Sequence, residues 1–387
     1  MAKNIVIFSD GTGQGASMPK AERTNVWKLW DATEKAAPAR QVTFYDEGLG
    51  VEHKREWWRW AYDLASRATG LGISQNIKDC YTALIEYYEP GDRVFLFGFS
   101  RGAFTVRSLG GVLSLCGIPQ RDAAGNSPRD RQNKKGRLAL VEEAVETVYK
   151  HYGDNEKQEE RIALGLQYRN RYQSLSIDSS NPPFPYFIGV WDTVRALGIP
   201  GSSGLVLWRH DFHNASLNPS IPYGRQALSI DENREIFAPE IWDESEESPE
   251  AKARDRIKQV WFPGVHSDVG GGYRETGLSD LALEWMINEA MAVEHPLIVD
   301  MTKLKLTPSY EGIQHDERTG WGRAWTEGTR EGVRDGNGPD ILHEDFVHNR
   351  FGLAKARCVT GDRPYRPKAL AKHREYLPFY GSPNGAQ

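Results

Sequence analysis

Cysteine is scarce in this 387-residue chain, and the three cysteines, Cys80, Cys116 and Cys358, are far apart in the sequence. Without a closely spaced pair, neither a disulfide framework nor a cysteine-based zinc site is indicated, and the usage fits a reducing compartment. Long apolar runs are also missing: none approaches the length of a membrane span, and the run near the N-terminus is too short for a signal peptide. These absences predict a cytoplasmic protein without integral membrane association, with export that needs no N-terminal signal as the alternative.

An excess of basic residues is absent as well, because 48 Lys and Arg stand against 53 Asp and Glu, for a net charge of −5. This balance gives no reason to expect a nucleic-acid partner, which normally needs a basic face. Charged residues at 26% and hydrophobic residues at 39% are ordinary for a globular protein. The length suits one large α/β domain or two smaller ones, and the oligomeric state stays unknown.

The chain does contain a regular alternation of buried-type strands and amphipathic helices. The predicted strands are Ile5–Phe8, Gln41–Tyr45, Val94–Phe97, Tyr186–Trp191 and Gln259–Phe262. Helical spacing of apolar residues falls between them, at residues 25–35 and 74–88, and after them at residues 278–291. Strand and helix in alternation are typical of a mostly parallel sheet with helices on both faces. The sequence therefore predicts an α/β fold.

Two regions depart from this alternation. Residues from about 121 to 181 begin with a polar, glycine- and proline-punctuated stretch and continue as two charged helices, 138–152 and 159–172. We interpret them as a helical insertion within a catalytic domain of residues 1–300, and hypothesise that the insertion is a lid. Residues 301–387 are irregular and rich in Gly, Pro and charge, which predicts a C-terminal extension that packs on the domain or is partly mobile.

The most informative motif is Gly98-Phe99-Ser100-Arg101-Gly102, which follows a predicted strand and precedes a predicted helix. This strand–turn–helix context is the one that a nucleophile elbow of the α/β-hydrolase type requires. Gly98 and Gly102 suit a turn whose neighbours pack too closely for a Cβ. The motif predicts Ser100 as a nucleophile and the backbone N–H of Arg101 as an oxyanion donor at a helix N-terminus.

A serine nucleophile needs a histidine base, and the histidine needs an acid that holds its tautomer. Asp192 and His266 each follow a later predicted strand, in the chain order Ser, Asp, His of α/β-hydrolases. Helix capping is the structural alternative for Asp192, and a hydrogen-bonded loop histidine is the alternative for His266. Asp268 is a weaker candidate for the acid, because it lies only two residues from His266 and its carboxylate would reach the ring with difficulty. We predict instead that it braces the glycine-rich loop by accepting backbone N–H bonds.

A second oxyanion donor is predicted in the loop after the first strand, where Asp10, Gly11 and Thr12 lie. The backbone N–H of Gly11 or Thr12 would point at the substrate oxygen, with Asp10 holding the loop in shape. Asp-Gly-Thr after a strand is also found in phosphatases of the haloacid dehalogenase type. Their nucleophile would stand at position 8, and Phe8 excludes that chemistry.

Two further patterns are less specific, and each allows two interpretations. The aromatic run Trp57–Trp60 suits either a lipid-facing surface or, more often, a helix packed on the core. His210 and His213 have a spacing compatible with a metal pair, but no matching ligand cluster accompanies them. We therefore predict no metal and no cofactor.

The chain resembles an α/β-hydrolase family of largely uncharacterised proteins that includes the catalytic domains of type VI secretion phospholipase effectors. The matching blocks are Asp10-Gly11-Thr12, Tyr45 with Gly48 and Gly50, the run from Pro90 to Ala103, Val190–Val194 and Phe262–Tyr273. The resemblance carries the family's Ser, Asp and His onto Ser100, Asp192 and His266. It implies hydrolysis of a carboxylic ester through an acyl-enzyme, with a phospholipid or lysophospholipid as the candidate substrate. A non-catalytic binding or scaffold protein that keeps the fold, or an acyltransferase, is the alternative.

Overall fold

The structure is a computed structural model, which describes residues 2–11, 19, 22–48, 70–151, 155–176, 182–194, 216–319, 323, 325–330 and 345–380. The strands are β1 Asn4–Ser9, β2 Gln41–Asp46, β3 Arg93–Phe99, β4 Pro185–Trp191, β5 Tyr223–Ser229 and β6 Ile257–Phe262. The helices are α1 Asn25–Thr33, α2 Gly70–Tyr87, α3 Arg101–Cys116, α4 Lys134–Glu142, α5 Asn155–Tyr172, α6 Pro249–Ala253, α7 His266–Gly270, α8 Gly277–Met291 and α9 Phe346–Phe351.

The six strands form one sheet in the order β2-β1-β3-β4-β5-β6, and every neighbouring pair is parallel. The chain therefore runs outward from β1 to β2, returns to β3 on the other side of β1, and continues in that second direction. The crevice at the carboxyl ends of β1 and β3 is the point where this order reverses. Open parallel sheets bind their ligands at such a switch point.

Helices cover both faces of the sheet, as the alternation of side chains along β1 shows. Ile5 and Ile7 join a core that holds apolar residues of α2, α3, α4 and α5. Val6 and Phe8 point to the opposite face and pack with residues of α1 and α8. Because successive side chains of a strand face opposite sides, one strand contributes to both cores. The predicted α/β-hydrolase-like fold, a parallel sheet with helices on both faces, is confirmed.

Strand β5 is absent from the sequence-based prediction. Its segment includes Arg225 and Gln226, which hide the apolar pattern, yet both side chains are buried. Arg225 reaches Glu289 and the carbonyl oxygens of Gly224 and Asp255, and Gln226 donates to Glu240 O at 2.9 Å. Tertiary partners thus neutralise polar groups that single-sequence patterning assigns to the surface.

The helical insertion packs against the far end of α3. The segment after α4, Glu143–Tyr149, is a π-helical continuation, and its apolar residues join the core beside Leu113 and Cys116. Arg169 of α5 donates to Leu115 O at 2.6 Å. These contacts lie along the carboxyl half of α3, while Ser100 is at its N-terminus. A lid role for the insertion, and the domain boundary at residue 300, stay predictions.

The described part of the C-terminal extension contains short helices and packs on the outer edge of the sheet. Val347, Tyr365 and Tyr376 share a core cluster with Leu228 and Trp261, which belong to β5 and β6. None of the helices in the described ranges is both long enough and apolar enough to cross a membrane.

Candidate active site

The turn between β3 and α3 holds Ser100 in a strained conformation, with φ 58° and ψ −120°. Its two flanking glycines are required by close backbone approach. A Cβ on Gly98 would lie 2.5 Å from Gly102 O, and a Cβ on Gly102 would lie 2.0 Å from Ser9 O. Strain of this kind persists only where the surroundings enforce it. The sequence Gly-x-Ser-x-Gly thus forms a sharp turn that packs closely against the end of β1.

The acidic group lies on the neighbouring strand. Asp192 follows β4, has a positive φ of 37°, and is completely buried. Its backbone N–H donates to Ala227 O of β5 at 2.7 Å, while Ser100 N donates to Trp191 O at 3.1 Å. These two bonds fix the elbow and the aspartate to adjacent strand ends.

His266 begins α7, directly after β6 and the turn that follows it. Its Nδ1 lies 2.6 Å from Asp192 Oδ2, and its ring packs on Phe99 at 4.6 Å and on Phe237 at 5.1 Å between centroids. Because a carboxylate accepts, Nδ1 carries the proton and Nε2 keeps its lone pair. Phe99 precedes Ser100 directly, so the imidazole lies beside the elbow.

No direct hydrogen bond joins the serine to the histidine in this structure. Ser100 Oγ and His266 Nε2 are both buried, and neither has a hydrogen-bond partner in the described part of the chain. Catalytic hydrogen bonds are often long in ligand-free enzymes and shorten in the substrate complex. The structure thus brings Asp192 and His266 into contact and leaves Ser100 Oγ and His266 Nε2 without a partner among the described residues.

The electrostatic environment favours an ionised aspartate and a neutral histidine. Burial by itself raises the pKa of Asp192, but the charge of Arg330 and the bond from His266 outweigh it and hold that pKa below its usual value. Burial lowers the pKa of His266, and the nearby carboxylates of Asp192 and Glu232 offset this only in part. At neutral pH the imidazole is therefore a free base, which is the form that can accept a serine proton.

Asp268 does not contact the ring of His266. Its carboxylate accepts the backbone N–H of Val265 at 3.1 Å, the backbone N–H of His315 at 3.0 Å, and lies 2.7 Å from His315 Nδ1. Gly264, the residue before Val265, has φ 109°. It has no room for a side chain, since a Cβ on Gly264 would lie 2.3 Å from the Cβ of Asp268. Asp268 therefore links the loop before His266 to the segment that carries His315.

The loop after β1 is organised around Asp10. Its Oδ1 accepts the N–H of Gly11 at 2.7 Å, and its Oδ2 accepts Thr24 Oγ1 at 2.6 Å and the Tyr45 hydroxyl at 2.7 Å. Burial raises the pKa of Asp10 to about 7, against these hydrogen bonds. The Gly11 N–H is thus engaged by Asp10 instead of being free for a substrate oxygen, and Thr12 lies outside the described residues.

Three residues that the sequence analysis did not single out complete the site. Arg330 Nη2 donates to Asp192 Oδ2 at 2.6 Å and to Ser229 Oγ at 2.7 Å, and its Nη1 donates to Phe237 O. Ser229 in turn donates its N–H to Asp192 Oδ1 and its hydroxyl to Oδ2, both at 3.0 Å. Glu232 accepts the N–H of His266 at 3.2 Å.

Only part of this network had a signal in the sequence. Ser229 and Glu232 lie at and just after the carboxyl end of β5, so recognition of that strand would have pointed to them. Arg330 lies in the irregular extension, where no periodicity or motif marks it. Its position next to Asp192 is a property of the tertiary structure.

The weaker sequence patterns receive no test here. Trp57–Trp60, His210 and His213 lie outside the described residues. Within the residues that are described, no group of three or more His, Cys, Asp or Glu side chains is placed to hold a metal ion.

An all-parallel sheet, a strained serine at the β3–α3 elbow, and a buried aspartate–histidine pair at later strand ends define an α/β-hydrolase-like protein. More specifically, residues 3–289 match the family model described as the catalytic domain of Tle1-like phospholipase effectors of the type VI secretion system, and the chain belongs to this family. The predicted family is thereby confirmed.

Individual relatives are more distant. A protein of Saccharomyces cerevisiae described as uncharacterised protein YEL023C is 26% identical over 246 residues, which cover 61% of this chain and 32% of the yeast protein. A Tle1 effector solved bound to the VgrG spike is 17% identical, with TM-score 0.35, over 70% of this chain and 51% of its own. An uncharacterised Pseudomonas aeruginosa protein is 17% identical, with TM-score 0.41, over 80% and 49%. The chain thus spans 32% to 51% of the length of these relatives, and the family match alone carries the assignment.

Proposed function

We propose that this protein is a serine hydrolase that cleaves a carboxylic ester of a phospholipid or lysophospholipid. The observation that carries the proposal is the strained Ser100 beside a buried, neutral His266 whose Nδ1 is held by Asp192 at 2.6 Å. Membership of a phospholipase effector family supports the substrate class. Cytoplasmic location, or export without an N-terminal signal, stays a prediction.

In the proposed reaction, Ser100 Oγ attacks the ester carbonyl carbon and its proton passes to His266 Nε2. Asp192 stabilises the imidazolium that results, with its own carboxylate remaining ionised. The carbonyl oxygen becomes an oxyanion, which the Arg101 N–H and a second N–H from the loop after β1 would stabilise. Since Gly11 N–H is bonded to Asp10 in this structure, that loop must supply the Thr12 N–H or release Gly11.

Collapse of the tetrahedral intermediate breaks the bond to the leaving alcohol, which takes the proton from His266. A water molecule then attacks the acyl-enzyme, giving its proton to His266 and its oxygen to the acyl group, and Ser100 recovers its proton when the fatty acid leaves. This cycle requires the Ser100–His266 hydrogen bond to form when substrate binds.

The direct test is covalent labelling with a fluorophosphonate, followed by mass spectrometry of the labelled peptide. We expect the label on Ser100, its loss in Ser100→Ala, and its retention in Ser127→Ala, an exposed serine of the insertion. Free fatty acid released from a panel of phospholipids and lysophospholipids identifies the ester. A folded wild-type protein that takes up no label and releases no fatty acid contradicts the proposal.

A further inference from the structure

One face of α3 carries buried polar groups for which the described part of the chain offers no partner. Arg101, Thr105 and Ser108 are 5%, 0% and 0% exposed. Their spacing of four and then three residues places them on the same side of the helix. Arg101 Nε and Nη2, Thr105 Oγ1 and Ser108 Oγ have no hydrogen-bond partner in the described part of the chain. This polar face starts at the residue next to Ser100.

Arg101 differs in this respect from other buried arginines. The side chains of Arg137, Arg225, Arg234, Arg256, Arg330 and Arg350 each donate to carboxylates or backbone carbonyl oxygens. For Arg101 burial is the only cause of its altered pKa, which falls to about 10, so the guanidinium remains charged at neutral pH. A buried, charged and unpaired guanidinium is costly, and such groups call for a specific explanation.

The location of Arg101 suggests what the missing partner is. It occupies the first position of a 16-residue helix, where unpaired N–H groups and the helix dipole attract anions. A guanidinium presents a planar fork of donors that matches phosphate geometry. Thr105, one turn further on the same face, has a buried hydroxyl free to donate as well. Of these donors, Arg101 directly follows Ser100, the serine that would attack the ester.

We propose that Arg101, assisted by Thr105 and the N-terminus of α3, forms a subsite for the phosphate group of the ester substrate. The inference rests on the proposed function and adds a specificity determinant to it. The phosphate of a glycerophospholipid is a few bonds from its scissile acyl ester. One side chain adjacent to the nucleophile is therefore placed to bind the phosphate while Ser100 attacks the carbonyl.

The test compares two lipids that share their acyl chains, dioleoyl phosphatidic acid and dioleoylglycerol. The measured quantity is the ratio of their kcat/KM values in wild type, Arg101→Lys and Arg101→Gln. We expect the ratio to favour the phosphate-bearing lipid in wild type, to fall at least tenfold in Arg101→Gln, and to fall less in Arg101→Lys. Arg121→Gln, an exposed arginine of the insertion, is the matched control and should leave the ratio unchanged.

Binding of inorganic phosphate, measured by isothermal titration calorimetry, gives a readout that does not need turnover. Wild type should bind phosphate, and Arg101→Gln should bind at least tenfold more weakly. Thr105→Val, which keeps the side-chain volume, should weaken binding severalfold and serves if Arg101→Gln fails to fold.

The outcomes separate the two proposals. Phosphate binding that needs Arg101 in a protein that hydrolyses no ester contradicts the proposed hydrolase and supports the subsite. Ester hydrolysis with an unchanged lipid ratio in Arg101→Gln overturns the subsite and leaves the hydrolase standing. Phosphate binding with an unchanged ratio shows a site for free phosphate only, and also overturns the proposal.

Discussion

The family-matched region, residues 3–289, and the segment that follows it contribute in different ways to the candidate site. The first region supplies Ser100, Asp192 and His266 from the ends of parallel strands, where topology gathers them. The second region supplies side chains that contact these residues or the loops next to them. The comparison indicates that the candidate catalytic residues come from the family-matched region, while contacts that hold them in place also come from sequence beyond it.

Residues that follow the family-matched region contact three carboxylates within it. Arg330 bonds the carboxylate of Asp192, and His315 bonds Asp268, whose carboxylate also accepts the N–H of Val265 just before His266. Tyr365 donates at 2.6 Å to Asp231 Oδ2, which also accepts the N–H of Gly264 at 2.7 Å. Each contact joins the extension to a group that positions the aspartate or the histidine. Substitutions in the two regions should therefore differ in kind.

Ser100→Ala tests the first region and should have the largest effect. Without the attacking oxygen, we expect kcat/KM for any hydrolysed ester to fall by roughly 10⁴-fold or more, because the nucleophile acts as one unit with its base. The urea midpoint should change little, since Ser100 Oγ has no described partner to lose. Steady-state kinetics and urea unfolding check both; residual activity near wild type would mean that another residue is the nucleophile.

Arg330→Gln removes a buried ion pair between the two regions. We expect kcat/KM to fall by about 10²-fold, because Asp192 loses a partner at 2.6 Å and with it the orientation of His266. Loss of the positive charge of Arg330 leaves the carboxylate of Asp192 less compensated, which stabilises the imidazolium, so the pKa of His266 rises.

The pH profile distinguishes this role from simple destabilisation. Since burial lowers the pKa of His266 in wild type, kcat/KM should rise with pH through a value below about 6.5. In Arg330→Gln the midpoint of this rise should move to higher pH, and Arg330→Lys should restore the wild-type midpoint in part. Arg363→Gln, at an exposed arginine of the same extension, is the control. A lower rate with an unchanged midpoint would contradict the electrostatic role of Arg330.

His315→Ala should have a smaller effect. The carboxylate of Asp268 would stay buried with one partner fewer, which costs about 1–3 kcal/mol of unfolding free energy. Stacking of His315 on Tyr273, at 3.6 Å between centroids, is lost too. We expect a severalfold loss of kcat with little change in KM, measured beside urea unfolding. The partly exposed His295 provides the control, His295→Ala, and equal effects of both variants would exclude a bracing role.

Tyr365→Phe should have the smallest effect. It deletes one hydroxyl and leaves Asp231 bonded to Gly264, so we expect a loss of about 1 kcal/mol in stability and nearly unchanged activity. Burial already raises the pKa of Asp231 to about 6, and the Tyr365 bond opposes that shift. A folded-state pKa above the unfolded value means that stability from this group declines as pH rises from about 4 to 6. The variant should steepen this decline, as urea unfolding across that range will show.

Much of the sheet could be predicted because its strands are short apolar runs bounded by glycine and proline. The predicted strands at β1, β2, β3, β4 and β6 lie within the observed ones. Strand β5 is missing from the prediction because Arg225 and Gln226 break its apolar pattern. The burial of these two side chains depends on partners far away in sequence. Periodicity records which residues are apolar, and it carries no information on which polar residues find partners.

The sequence by itself determined the α/β fold, the family, and the elbow turn around Ser100, since each depends on local pattern: strand hydrophobicity, glycine spacing and contiguous motifs. Only the tertiary structure decided that the Gly11 N–H donates to Asp10, that Arg330 pairs with Asp192, and that Arg101 is buried with no hydrogen-bond partner among the described residues. Hydrogen bonds and burial at these positions arise between residues distant in the chain. Their energies depend on geometry that no local pattern encodes.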